Sequence, residues 1–166
     1  MFQRYHKERT PEENKKLIEK YPFLNPRESI NHGSMFIGAD LDKFDEHYDY
    51  SYTQLDDMPD GWNFSFGEQM CEEILQALIK NGIDPHDYKV QQVKEKFGEL
   101  RWYDYHGCKD VDDIIDKYTD KSVEICQNCG KKKAKYVTSG WIGFFCEDCV
   151  QGVEGRDYRR LNEKEN

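Results

Sequence analysis

Cys126-Gln-Asn-Cys129, sixteen residues, then Cys146-Glu-Asp-Cys149 is the stretch that decides how this chain is read. Two residues between cysteines let both thiolates reach one cation from a tight turn, while nearby backbone N–H groups donate to sulfur. Two such turns complete a tetrahedral four-sulfur shell, which suits Zn²⁺. Gly130 follows the first pair, where a positive φ lets the chain leave the knuckle. A shell closed by Cys126, Cys129, Cys146 and Cys149 has no position for water. The expected role of the metal is therefore structural, not catalytic. Other readings explain less. Two disulfides require an oxidising compartment, and the start Met1-Phe-Gln-Arg-Tyr-His6 lacks the apolar segment of a signal peptide. A redox pair accounts for one CxxC but not two. A rubredoxin-like iron site also uses paired cysteines, but the second pair here lacks the matching glycine turn.

Working outward, residues 134–137 and 141–145 predict a hairpin across Thr138-Ser139-Gly140. The second cysteine pair then opens a predicted helix from residue 147 to about 162. Knuckle, hairpin and ligand-bearing helix follow one another in treble-clef order.

N-terminal to the module the pattern is mixed. Thr10-Pro11-Glu12-Glu13 predicts a helix start with a Thr cap, Pro at the first helical position and a capping-box Glu. Tyr21-Pro-Phe-Leu-Asn-Pro26 ends that helix at about Lys20 and predicts an extended segment laid over a core. Residues 40–60 are acidic, and Tyr48, Tyr50 and Tyr52 alternate with polar residues. That alternation fits a loop pinned by its rings, an edge strand, or an acidic arm that binds a partner. Phe66, Met70, Ile74, Ala77 and Leu78 recur at helical spacing up to Lys80, with Asn81-Gly82 as the stop. Cys71 beside that stripe reads as a core thiol. Residues 88–97 and 100–105 predict two strands around a turn at Phe97-Gly98-Glu99. Residues 111–124 predict a further helix capped by Asp110 or Asp112.

The expected fold is α+β, a small antiparallel sheet packed on helices with a C-terminal treble-clef-like zinc module. Its expected parts are an N-terminal helix and tyrosine-rich arm (1–60), an α+β core (61–120) and the zinc module (121–166). The chain has 166 residues, of which 34% are charged and 14% aromatic. A disordered chain is poor in aromatics, so a compact aromatic core is expected. The formal net charge of −9 disfavours nonspecific duplex binding, which relies on a basic footprint. No apolar run reaches membrane-spanning length, and reduced cysteines fit a cytosolic protein.

Outside the cysteines, chemistry concentrates in residues 93–103, Val-Lys-Glu-Lys-Phe-Gly-Glu-Leu-Arg-Trp-Tyr. Lys94 and Lys96 lie two apart on a strand, hence on one face. Arg101 on the partner strand adds a bidentate donor, Tyr103 or Trp102 a stacking ring, and Gly98 a close approach to the backbone. This set suits a phosphorylated ligand, a nucleotide or an acidic partner. It equally describes a solvated hairpin with cross-strand ion pairs. His106-Gly107-Cys108 has too few ligands for a second metal. Asp56, Asp57 and Asp60 would serve a metal-assisted hydrolase only if they converge. No phosphate-binding loop, dinucleotide fingerprint or nucleophile elbow is present.

The strings Tyr21-Pro-Phe-Leu-Asn-Pro-Arg27, Tyr48-Asp-Tyr-Ser-Tyr-Thr53, Gly61-Trp62, Phe66-Gly-Glu-Gln-Met-Cys-Glu-Glu-Ile74 and Val93 to Tyr103 resemble a family of small phage and prophage proteins from bacteria. Its members pair a KEKFG-x-LR-aromatic-Tyr segment with a C-terminal four-ligand site. The resemblance covers residues 20 to about 150. It implies mobile-element origin and a zinc site, and it implies no activity. It also draws Trp62 into the candidate set with Lys94, Lys96, Arg101 and Tyr103, as a ring packed beneath the hairpin. The expected function is that of a zinc-stabilised accessory protein in the host cytosol. It would act by binding, as an inhibitor or modulator of a host defence system, with a host protein or a small phosphorylated ligand as partner. The alternatives are a nucleotide or nucleic-acid binder using the hairpin, and a metal-assisted hydrolase.

Overall fold

The computed structural model describes residues 8–26 and 49–161. The acidic stretch at 40–48 and the end of the predicted C-terminal helix at residue 162 lie outside the described residues.

Helix α1 (Pro11–Lys20) starts as expected: Thr10 Oγ1 accepts from the Glu13 N–H, and Glu13 Oε2 accepts from the Thr10 N–H at 2.7 Å. Both donors would otherwise be orphaned at a helix start. The following Pro22–Leu24 is a single 3-10 turn, and Tyr21, Phe23 and Leu24 sink into the core. The tyrosine-rich segment forms no strand among the described residues. Asn14 Nδ2 donates to the Tyr50 carbonyl at 2.8 Å and ties that segment to α1. A second capping box, Thr53 with Asp56, opens the 3-10 turn Gln54–Asp57.

Helix α2 (Asp60–Trp62), a π-helical turn (Asn63–Gly67) and α3 (Glu68–Lys80) follow one another without a break. Phe66, Met70, Ile74, Ala77 and Leu78 are buried along this run, as the spacing predicts, and Trp62 is buried ahead of them. Cys71 is fully buried, and burial pushes its thiol far above the ordinary range. Strands β1 (Lys89–Lys96) and β2 (Glu99–Tyr105) form an antiparallel ribbon with Lys94 opposite Arg101 and a register shift between Val90 and Gln92. Phe97 at φ 56° and Gly98 at φ 81° make the two-residue turn between them, the positive-φ pair that matches strand twist. Val93, Leu100 and Trp102 face the core. Helix α4 (Lys109–Glu124) closes that core with Val111 and Tyr118, whose ring lies 5.2 Å from Phe66. Each fully buried large apolar side chain contributes roughly 1.5–3 kcal/mol, so the rings carry much of the core.

Besides the extended segment expected after Tyr21, which is a 3-10 turn instead, two local expectations fail. Cys108, not Asp110 or Asp112, occupies the N-cap of α4. Asp110 instead accepts from Lys80 Nζ at 2.7 Å and Asn81 Nδ2 at 3.1 Å, joining α4 to the end of α3. The long C-terminal helix is also absent. Helix α5 (Glu147–Val150) is one turn, and β5 (Tyr158–Arg160) returns to the module's own sheet. That sheet has the order β4-β3-β5, with β3 (Tyr136–Thr138) and β4 (Phe144–Phe145) as the expected hairpin. Gly152 and Gly155, the latter at φ +72°, interrupt the helical pattern and let the chain turn back. The architecture is α+β with small antiparallel sheets, helices and a four-cysteine module at the C-terminal end.

A buried polar chain spans the ribbon. Trp102 Nε1 donates to Tyr88 Oη at 3.0 Å, and the Tyr88 hydroxyl bonds the half-buried Asp104 carboxylate. Burial raises the Asp104 pKa, and the nearby charge of Asp112 adds to it, against the lowering pull of Tyr88. The folded protein therefore holds this proton to higher pH than the unfolded chain. Between the two pKa values the native state binds more protons, so this group's contribution falls as pH rises through that window and is flat above it. Asp104→Asn keeps an acceptor for Tyr88 and removes the charge. We expect a higher melting temperature than wild type at neutral pH, with the gap closing as pH falls below the folded pKa. A thermal series across acidic to neutral pH checks this.

Candidate metal centre

Four thiols converge at the C-terminal module. The sulfurs of Cys126, Cys129, Cys146 and Cys149 all lie within 4.8 Å of one another, and all four residues are buried. Cys129 and Cys146 sulfurs are 3.9 Å apart. A tetrahedron with metal–sulfur bonds of about 2.3 Å has sulfur–sulfur edges of about 3.8 Å, so the residues fit one metal ion. This is the one cluster of three or more metal-ligating side chains among the described residues. Asp56, Asp57, Asp60 and His106 do not enter such a cluster.

Local sequence explains the geometry. The Gly130 N–H donates to the Cys126 carbonyl at 3.0 Å, with Gly130 at φ +64°. The backbone N–H groups of Cys129, Cys146 and Asn128 point at the Cys126 sulfur, and that of Lys131 at the Cys129 sulfur. Cys146 is the N-cap of α5 and Cys149 sits on its single turn. Burial, the largest influence, raises the Cys126 pKa against those N–H donors. Burial and then the neighbouring Cys126 charge raise Cys149 strongly. At Cys129 burial opposes ionisation too, but donors from Lys131 and the other thiols outweigh it and hold the thiol below its ordinary range. Four thiolates packed this closely repel one another unless a cation sits among them. Lys132 forms an ion pair with Asp148 across the two knuckles.

The module is docked on the core through backbone contact. The Gly61 N–H donates to the Gln127 carbonyl at 2.8 Å. A Cβ on Gly130 would lie 2.0 Å from the Gly61 carbonyl oxygen, and one on Gly61 would lie 2.3 Å from the Cys126 carbonyl oxygen. Only two glycines allow this approach. Gln127 is the residue that sequence reasoning missed. Buried between its cysteines, its Oε1 accepts from the Phe144 N–H at 2.6 Å and its own N–H donates to the Phe144 carbonyl. It thus ties the first knuckle to β4. A polar residue inside CxxC carries no sequence signal for such a contact.

The hairpin residues fall in two groups. Lys94, Lys96, Arg101 and Tyr103 lie on the outward face of the β1–β2 ribbon. Lys94 Nζ bonds Gln92 Oε1 at 2.7 Å and lies 5.3 Å from the Tyr103 ring centroid. Lys96 Nζ lies 5.4 Å from the Phe97 centroid, and Arg101 pairs with Glu99 at 2.7 Å. Trp62 is elsewhere. It is fully buried, and its Nε1 donates to the Ile125 carbonyl at 3.3 Å, directly before the first knuckle. Its ring is thus closed to a ligand and serves the joint between core and module. The close approach that Gly98 permits is taken by the chain itself: a Cβ there would lie 2.5 Å from the Phe144 ring. Trp141 Nε1 donates to Glu95 Oε2 at 3.2 Å across the same joint.

Comparison with protein-family models, with curated proteins and with solved structures returns no match. No helix among the described residues is long and apolar enough to cross a membrane.

Proposed function

We propose that this protein is a zinc-stabilised accessory protein of phage type that acts in the host cytosol by binding an acidic surface of a host protein. The carrying observation is the ridge at the joint of ribbon and module. Phe97, 67% exposed, stands at the ribbon turn with Lys96 Nζ near its ring and Lys94 and Arg101 paired on the same strands; Trp141, 68% exposed, bonds Glu95 on the module's side of the joint. Large exposed aromatics flanked by cations are the side chains that anchor protein interfaces. In a chain of net charge −9, a locally basic face also orients an acidic partner. The cations stand on a two-stranded ribbon, whereas small-molecule sites are concave, which favours a protein over a small phosphorylated ligand. The thiolate donors and near-tetrahedral spacing favour zinc. A closed four-sulfur shell supports a structural role for it. The phage assignment rests on the resemblance of residues 20 to 150.

Trp141 donates one surface hydrogen bond and is otherwise exposed, so Trp141→Ala is expected to keep the metal and, by thermal unfolding, to leave stability within about 0.5 kcal/mol of wild type. It is expected to weaken partner binding at least about tenfold, as loss of an interface anchor does. Native mass spectrometry after incubation with host extract reads both. Retention of a host protein by Trp141→Ala and by Phe97→Ala at wild-type level would refute this face. An added mass of a few hundred daltons in place of a protein would favour the phosphorylated-ligand reading.

A further inference from the structure

A cleft of about 690 Å³ opens between α1, the Gln54–Asp57 turn and the π-helical turn Asn63–Gly67, with none of the four clustered cysteines in its lining. Leu17, Leu55 and Phe66 line its apolar part. Among the described residues, two polar groups there lack the partners that buried polar groups normally have. Asn14 is 1% exposed; its Nδ2 is committed to the Tyr50 carbonyl, and its Oδ1 has no partner. Arg9 reaches Asn63 Oδ1 at 3.2 Å and Asp56 at 3.7 Å through its terminal nitrogens, while its Nε is buried without a partner. Both residues line the cleft, so one acceptor and one donor lie unanswered in its walls, closed to solvent and reached only when a neighbouring side chain shifts. Its charge is one-sided, with Glu8, Asp56, Asp60 and Glu68 against Arg9 alone. The wall between Asp60 and Glu68 is a π-helical turn, a widened helix that recurs at functional sites.

We propose that this cleft binds a basic peptide segment, an arginine or lysine residue presented with its main chain. A peptide N–H donates to Asn14 Oδ1, a peptide carbonyl accepts from Arg9 Nε–H, and the cationic head lies among the carboxylates. This site is separate from the aromatic ridge and does not depend on it.

Three small probes separate these elements in a nuclear magnetic resonance titration of the metal-loaded full chain. Nα-acetyl-arginine amide carries cation and peptide groups, spermidine carries cations alone, and Nα-acetyl-alanine amide carries peptide groups alone. The arginine amide is expected to bind with a dissociation constant on the order of a millimolar, as its size allows. It should move the Asn14 side-chain amide signals and bind at least tenfold more tightly than either other probe. Arg9→Lys keeps the charge and removes the Nε donor. It is expected to weaken the arginine amide at least fivefold and leave spermidine unchanged. Glu68→Gln, at an exposed position, is expected to weaken both. The proposal is overturned if the arginine amide does not bind, if spermidine binds equally well, or if folded Arg9→Lys binds it as wild type does.

Discussion

Cys146→Ser is expected to release the metal and unfold the C-terminal module. Metal binding free energy in a structural zinc site reaches roughly 10–16 kcal/mol, and it is folding free energy for the segment that supplies the ligands. The module has little else to hold it. Its sheet consists of strands of two or three residues, and its buried cluster is the four cysteines with Phe145, Val150 and Val153. Burial also raises the pKa of Cys126 and Cys149, so without a metal those thiols take up protons and the cluster loses its organising charge. We expect amide-exchange protection of β3, β4 and β5 to disappear while α3 and β1 keep theirs. The core should lose the support of the docked module, and its melting temperature should fall by roughly 2–4 °C for each kcal/mol of that support. Unchanged exchange in β3 would show that the cysteines do not organise the module.

Gly61→Ala is the second large expected effect, and it tests the joint rather than the metal. The added methyl would meet the Cys126 carbonyl oxygen at 2.3 Å and Gln127 backbone atoms at 2.6 and 2.7 Å. None of these is a flexible side-chain end, so backbone must move on one side. We expect a loss of about 3 kcal/mol, at the upper end of overpacking costs. The metal should stay bound, because Gly61 supplies no ligand. The Trp62 indole should lose its bond to the Ile125 carbonyl, now 3.3 Å, and its fluorescence should change with it. Gly130→Ala should cost at least as much, since it adds a left-handed φ of +64° to a 2.0 Å clash. Wild-type stability in both variants would contradict the docked arrangement.

The metal centre was legible because ligand chemistry fixes its spacing. CxxC pairs determine which atoms can converge whatever surrounds them, and the four sulfurs do converge. The helix of α3 and the β1–β2 hairpin were legible from periodicity and from Phe97-Gly98 as a turn. What the sequence hid were contacts between distant segments. Gly130 read as an ordinary turn glycine and Gly61 as one letter of a shared string, and only their meeting explains why both lack a side chain. Trp62 read as a ring under the hairpin, and its bond to the Ile125 carbonyl just before the knuckle carried no sequence signal. The predicted C-terminal helix failed because an apparently helical tail, Tyr158-Arg-Arg-Leu161, pairs with β3. Tertiary pairing overrode local propensity there. The cleft at Arg9 and Asn14 could not be read at all, since its walls come from three separated stretches.

Binding through the aromatic ridge depends on the module holding Trp141 against Glu95. The whole C-terminal module therefore stands on its metal, and counting alkylated thiols by intact-mass spectrometry, with and without a strong chelator, decides whether it does. The native protein contains six cysteines, with Cys71 fully buried and Cys108 partly exposed. Without chelator, only Cys108 is expected to react promptly. With chelator, Cys126, Cys129, Cys146 and Cys149 should become reactive together while Cys71 stays protected. The same slow reaction at those four positions with and without chelator would contradict a metal-held module.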